Sequence, residues 1–562
     1  MGCMSVGVIP VPLYPTLSPE EVEKTVNHST AELAFVVSPA QLKKVLAVAP
    51  ACPVLKRVIY HSQQPPLEKE TPQQSHTEGA AALTTIAFPQ FLAYSEQSTD
   101  TAFLERMGSI RPEQLATIVY TASLQKDDSP YDVGNKLGGD AQRWHLKGVM
   151  LSHANLLYTA KALAGALSVT DADTSVSFLP LCHPLQQLIT IHIPILTGSQ
   201  TFVNGGKMKK LLFHLHRVQP TCLFAPALFW KKIYSAVKQT LADLLDRLKE
   251  EDEFEEEEAI QRLIHQEAPF LRHSLKAAGF RRLRVGVSGL TPLPAAIASF
   301  LKDTLKLNLQ ECYVHPESTG IISCHPLGFD AADHPHTLGL PLPGTRVKSE
   351  PPNGELVISG GNVFMGYWQV RTTSISFHPE FTQPISTQAQ EATQEVLKDG
   401  WLYTGDLGEV DEQGWVTLVG KKAEMIRLRT AGHVLSPSKI ETLLRGHPVI
   451  EEALVIGNDR EYLTAVLNPI KFSSRKRKAG VQGNPYKPLP SHAAHTNLLS
   501  YFGKTSAEYG QPDFKKNQTQ PNAKRSTRRR DSVPPDSTGL LTPVFCLPSH
   551  PPTKLSKSTL VV

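Results

Sequence analysis

The run Leu115-Ala-Thr-Ile-Val-Tyr-Thr121 is apolar and strand-like, and it ends in small and hydroxyl residues, Thr121, Ala122 and Ser123. A Lys-Gly pair follows at Lys147-Gly148. Small residues let backbone N–H groups approach anionic oxygens, and hydroxyls and a lysine add donors, so this region suits a polyanion. Asp406 follows a glycine; such an aspartate in isolation is a turn residue, and in a site it is an acceptor of two hydroxyl protons. His183 ends the apolar stretch Phe178-Leu-Pro-Leu-Cys-His183, where the plain reading is a satisfied core histidine. The seven cysteines stand singly at positions 3, 52, 182, 222, 312, 324 and 546, so neither a zinc ribbon nor a disulfide framework is expected. The acid run over 250–258 reads as a solvated face.

The elements that must position these residues alternate. Ser18-Pro19-Glu20-Glu21 and Ser38-Pro39-Ala40-Gln41 each read as an N-cap followed by proline at the first helical position, and Ser436-Pro437 opens a third helix. Residues 31–37, 54–60 and 115–121 are short apolar runs of strand length. Strands alternating with amphipathic helices predict an α/β fold with a mostly parallel sheet. A chain of 562 residues, 41% hydrophobic and 20% charged, has material for several folding units and excludes collagen-like, coiled-coil and wholly disordered classes. Residues 174–206 carry no charge, but prolines, glutamines and histidines interrupt the run; a buried strand–helix–strand is expected rather than a membrane span. No secretory signal is read at the start.

The net charge of +4 is unevenly spread. Residues 471–562 hold sixteen Lys/Arg against four Asp/Glu, a net of +12, which leaves −8 on residues 1–470. The basic clusters at 475–478 and 524–530 lack interleaved aromatics, so nucleic acid is not the expected partner. The Ser/Pro/Lys/Arg-rich composition of 471–540 predicts a disordered segment.

Several separated motifs give the chain a resemblance to the adenylate-forming (AMP-binding) superfamily, and within it to the long-chain fatty acid–CoA ligases. They are Gly7–Ser18, Tyr120-Thr121 with Lys147-Gly148, Phe178–His183, Val287-Ser288-Gly289, Tyr313–Glu317, Gly354–Gly360, Asp399–Asp406, Gly420–Ile426 and Thr430–Pro437. The resemblance implies ATP-dependent formation of an acyl-adenylate from a long-chain fatty acid, then transfer to CoA. It implies ATP, Mg²⁺ and CoA as cofactors or cosubstrates. Thr121, Ser123 and Lys147 would face the phosphates, Ser288, Gly289 and Tyr313 the adenine, and Asp406 and Lys421 the ribose. Glu317 would be catalytic and would hold the metal, Gly432 would flank the CoA channel, and His183 would border the acyl pocket. Removing nine residues after Leu541-Thr-Pro543 leaves an ending similar to the family's catalytic-lysine run, which points to Lys554.

The chain departs from the family pattern in defined places. The Gly-rich centre expected after Thr121 is replaced by a different stretch near 124–145, and a second interruption spans 371–389. Pro316 replaces the motif threonine, Val314 its glycine, and Lys421 an arginine, which keeps the charge but loses the bidentate fork. These losses predict slower adenylation than in an intact relative; a binding protein of the same fold without catalysis is the alternative. The expected domains are a large α/β AMP-binding body over 1–418, lacking initial family elements, and the start of a small, mobile α+β domain over 421–470. The basic segment 471–540 and a remnant of the lysine segment over 541–562 follow. The expected location is the cytoplasm, with peripheral association at a membrane face suggested by the substrate class.

Overall fold

A computed structural model describes residues 1–61, 83–94, 100–120, 147–206, 208–248, 256–291, 293–329, 334, 336–368, 387–429, 434–445, 450–469 and 544–547. The expected helix starts form as local chemistry dictates. Ser18 Oγ accepts from the Glu21 N–H and the Glu21 carboxylate returns a bond to the Ser18 N–H, closing a capping box on the helix Pro19–Ser29. Ser38 caps Pro39–Val48 in the same way, without the reciprocal bond. Both helices pack on one side of the parallel strands Leu33–Val36, Arg57–Tyr60 and Thr84–Ala87, around Val22, Val26, Val45 and the fully buried Val58.

The chain divides into two compact units, Met1–Leu241 with Glu253–Ala423, and Ala242–Asp252 with Glu424–Val562. At the centre of the first, Cys222–Pro226, Val285–Gly289 and Leu309–His315 run parallel, and Gly320–Cys324 and Leu340–Pro341 extend the sheet antiparallel. Trp230, with no exposed surface, lies against this sheet and donates its indole N–H to the Val287 carbonyl at 3.3 Å. A second sheet orders Arg346–Glu350, Glu355–Ser359, Trp401–Val410 and Leu397–Lys398, with Val416–Lys421 paired to the long strand.

A third sheet has direct bearing on the interrupted motif. Leu115–Tyr120 and Gly148–Ser152 are antiparallel neighbours, and Tyr120 stands opposite Gly148. The two ends of the unmatched stretch therefore meet at one end of a ladder, and that stretch is a connection between adjacent antiparallel strands. Gly366–Trp368 pairs on the other side of Gly148–Ser152.

Residues 174–206 form strand, helix and strand as expected: Thr174–Ser177, a helical stretch from Pro184 to Thr197, and Gln200–Val203. The expectation that the whole segment is buried is corrected at its end. Phe202 and Val203 are 46% and 71% exposed, because their strand pairs only with Thr174–Ser177 among the described residues.

In the second unit, Ile450–Ile456 and Leu463–Pro469 form an antiparallel pair, and Val544–Leu547 adds a third strand beside Leu463–Pro469. The helix Pro437–Arg445 packs against Ile450–Ile456, and the Glu441 carboxylate accepts from the Val455 N–H at 2.9 Å. The expected disordered segment 471–540 lies outside the described residues. No helix among the described residues is long and apolar enough to cross a membrane.

Candidate functional site

Three sequence-distant segments meet in the first unit. Tyr313 lies near the end of the central strand Leu309–His315, and Asp406 lies on Trp401–Val410. The Tyr313 hydroxyl donates to Asp406 Oδ2 at 2.5 Å, and both residues are buried. Burial, and then the Asp406 charge, hold the Tyr313 hydroxyl well above its ordinary pKa, so it remains a donor. Lys421 stands directly opposite Asp406 in the ladder with Val416–Lys421. The turn that delivers Asp406 is fixed by Glu355: its Oε1 accepts from the Gly405 N–H at 3.0 Å, and its Oε2 pairs with Lys422 Nζ at 2.8 Å. The Thr404 hydroxyl donates to the Leu356 carbonyl and receives a bond from the Asp406 N–H.

Glu317 begins the second half of the cluster. Its Oε1 accepts from the Tyr367 hydroxyl at 2.8 Å, and its Oε2 lies 2.8 Å from His315 Nδ1 as a charge contact. Burial opposes the charge on both groups, but each offsets this for the other. The His315 charge and the Tyr367 bond hold Glu317 down at about 2, and Glu317, with Asp406, holds His315 above its usual value. The Lys147 ammonium sits 5.4 Å from the Tyr367 ring centroid, so the lysine before the strand Gly148–Ser152 reaches the same place. Tyr313, His315, Glu317, Asp406, Lys421 and Lys147 thus surround one region, two carboxylates facing three basic groups.

The residues expected on the adenine side, Ser288 and Gly289, end the strand Val285–Gly289, with Ser288 opposite Glu311 on Leu309–His315. The Ser288 hydroxyl is buried with no hydrogen-bond partner among the described residues. Gly289 must be glycine, because a Cβ there would lie 2.6 Å from Cys312 Sγ. His183 is placed as the N-cap of Pro184–Gln187, where its Nδ1 accepts from the Leu185 N–H at 3.2 Å; burial pushes its pKa down to about 4. This bond caps the helix Pro184–Gln187 with the ring. The next helical turn packs on Gly320, three residues after Glu317. Thr121, Ser123, Gly432 and Lys554 lie outside the described residues.

Three contributors have no expected site role in the sequence: His315, Tyr367 and Glu355. His315 occupies the variable position within Tyr313–Glu317, Tyr367 belongs to the strand Gly366–Trp368, and Glu355 acts through a bond to Gly405, fifty residues away.

Among the described residues no group of three or more His, Cys, Asp or Glu side chains is arranged to hold a metal ion. The donor set therefore fits magnesium only as an ion held by one carboxylate, Glu317, together with phosphate oxygens, which is a usual arrangement for that ion.

The model of the AMP-binding enzyme family matches residues 1–123 and 145–368. The chain belongs to the AMP-binding enzyme family. The match to this family passes over 124–144, the stretch that joins the paired strands Leu115–Tyr120 and Gly148–Ser152. This AMP-binding enzyme is similar to the chicken long-chain-fatty-acid–CoA ligase ACSBG2, 25% identical over 493 residues, covering 83% of the chain and 58% of that protein. It is 27% identical to the ligase FadD15 of Mycobacterium bovis over 497 residues, 84% of the chain and 71% of the relative. Arabidopsis long chain acyl-CoA synthetase 5 is 25% identical over 546 residues, 90% and 73% of the two chains. The fold is that of solved adenylate-forming CoA ligases. The anthranilate CoA ligase AuaEII with anthranoyl-AMP has a TM-score of 0.55 at 16% identity, over 82% of this chain and 73% of that one. ATP-bound MatB from Rhodopseudomonas palustris has 0.53 at 18% identity, over 83% and 75%.

Proposed function

We propose that this chain activates a long-chain fatty acid in two steps: the carboxylate attacks the α-phosphorus of ATP, releasing pyrophosphate, and the CoA thiol then displaces AMP from the acyl-adenylate. The observation that carries the reading is the meeting of Tyr313 and Glu317 with Asp406, Lys421 and Lys147, from four separate segments, in one site. Asp406 accepts the ribose hydroxyl protons, with Glu355 and the Tyr313 hydroxyl fixing its carboxylate. Lys421 adds a cation beside the ribose, and Lys147 adds one on the phosphate side. Ser288, whose hydroxyl has no protein partner, offers a donor and acceptor on the adenine side. Tyr313 Cζ–OH is committed to Asp406, so its ring rather than its hydroxyl serves the base.

Magnesium, held by Glu317 and phosphate oxygens, would neutralise charge on the nucleotide. Thr121 and Ser123 belong to the phosphate side in this reading, Gly432 to the CoA channel, His183 to the acyl pocket, and Lys554 to the catalytic-lysine segment. The domain assignment follows: a large body over 1–418, the beginning of a small domain over 421–470, and the basic segment beyond it. The chain spans 58–71% of the length of the first two relatives, so activity, substrates and partners are read from similarity and tested as such.

The test is pyrophosphate release with a long-chain fatty acid, ATP and Mg²⁺. The chain as written is expected to be slow, because one lost preorganised donor costs roughly 10²–10³ in rate. The paired ends Tyr120 and Gly148 permit a short hairpin connection, so replacing Leu124–Leu146 with a short Gly/Thr/Ser loop is expected to raise turnover. Turnover of the unmodified chain equal to an intact ligase would show that the unmatched stretch supplies its own phosphate donors. No pyrophosphate release from either form, with AMP still bound, would favour a binding protein.

A further inference from the structure

The first unit carries a second feature, remote in sequence from the nucleotide cluster. The helix Leu211–Val218 packs Leu211 and the fully buried Leu215 inward, and leaves Phe213, His216 and Arg217 exposed. Beside it, the strand Gln200–Val203 exposes Phe202 and Val203, and the turn before the helix exposes Met208, Lys209 and Lys210. Phe202, Val203, Phe213 and Arg217 line one open cleft of about 540 Å³. Its wall includes Asn204, only 2% exposed, whose amide oxygen and nitrogen have no hydrogen-bond partner in the protein.

The charge around the cleft has one sign. Between Asp173 and Asp243 the sequence has seven Lys/Arg and no Asp or Glu. The three elements packed most closely on the helix are Thr174–Ser177, Met208–Lys210 and Lys276–Phe280, and none contains an acid. The last packs so tightly that a Cβ on Gly279 would lie 2.6 Å from the Leu215 carbonyl carbon, and exposed Lys276, Arg281 and Arg282 lie in it or just after it. Exposed apolar side chains beside Lys209, Lys210 and Arg217, in an acid-free stretch of the sequence, match the interfacial zone of an anionic bilayer: aromatic and aliphatic groups enter the acyl boundary and cations meet the headgroups.

We propose that this face, centred on Val203, Phe202 and Phe213 and flanked by Lys209 and Lys210, docks the protein on anionic lipid membranes. It goes beyond the reading of the nucleotide site, resting on it only in that a long-chain fatty acid partitions into such a surface.

The test is co-sedimentation of the full chain with vesicles of phosphatidylcholine alone and of phosphatidylcholine mixed with phosphatidylserine, at about 0.15 M and 0.5 M salt. Three forms are compared: the parent, Lys209→Glu with Lys210→Glu, and Val203→Asp. All substituted side chains are exposed, and thermal melts check that the variants fold. The basic segment beyond 471 also attracts anionic lipid, so the variants decide. Binding is expected only with the anionic vesicles and to weaken with salt. Reversing two charges should lower the partition by more than about 25-fold, since the lost cations alone account for about fivefold each. Val203→Asp should lower it at least tenfold, which a purely electrostatic tail would not do. Equal binding of all three forms overturns the proposal, as does equal binding to the neutral vesicles. Binding to a short DNA duplex with none to vesicles assigns the face to nucleic acid and also overturns it. Because no readout uses catalysis, failure here is distinct from failure of the ligase reading.

Discussion

Asp406→Ala isolates the ribose contact. The Asp406 side chain is buried and its Oδ2 already accepts the Tyr313 hydroxyl at 2.5 Å. In the ligase reading the carboxylate also accepts two ribose hydroxyls, and hydrogen bonds to a charged group are worth about 1.5–3 kcal/mol each. Removing both should weaken AMP binding by about 3–6 kcal/mol, or about 10²–10⁴ in Kd. The same substitution strands the Tyr313 hydroxyl, which costs folding stability about 1–3 kcal/mol in its own right. The two effects separate in a cycle: Tyr313→Phe removes the stranded hydroxyl, so Asp406→Ala in that background should keep the affinity loss and recover most of the stability. Asp406→Asn provides a milder step, retaining one oxygen acceptor for Tyr313 while losing the charge. Calorimetric titration with AMP gives the affinities and urea unfolding gives the stabilities. AMP affinity within threefold of the parent, in an Asp406→Ala protein that is still folded, would refute the ribose role.

Three further predictions concern stability. Burial lowers His183, His192 and His325 each to about 4, from an ordinary value of 6.5, so the folded chain resists protons that the unfolded chain binds. Stability should therefore be present above pH 6.5 and fall as pH drops toward 4, by up to about 1.4 kcal/mol per pH unit for each group. A urea midpoint that stays flat from pH 7 to 4.5 would contradict this. The Asp173–Arg284 pair acts in a lower window, because its bonds hold Asp173 at about 2 and its contribution is lost only as pH falls from 3.8 through that value. Gly289→Ala should destabilise by about 1–3 kcal/mol, since the new Cβ overlaps buried Cys312 Sγ. Unchanged urea stability would mean that the two central strands separate freely at the adenine side.

The sequence alone determined what local chemistry decides. A serine cap followed by proline satisfies the first N–H groups of a helix wherever the chain goes next, so Pro19–Ser29, Pro39–Val48 and Pro437–Arg445 begin where expected. Short apolar runs became Leu33–Val36, Arg57–Tyr60 and Leu115–Tyr120 for similarly local reasons. The order of the motifs also placed Tyr313, Glu317, Asp406 and Lys421 in one family framework before any coordinates.

Tertiary structure decided how those residues spend their bonds. Tyr313 and Asp406 are 93 residues apart, and no local rule says that the hydroxyl donates to the carboxylate. His315 has no composition signal, yet folding buries it beside Glu317, where low polarity strengthens the attraction between opposite charges and holds the ring's pKa above its usual value. The unmatched stretch after Thr121 looked like an interruption, and pairing of Tyr120 with Gly148 made it a connection between neighbouring strands. Likewise, an uncharged apolar segment reads as core by composition; its end is exposed because, among the described residues, Gln200–Val203 pairs only with Thr174–Ser177, and burial depends on what packs there.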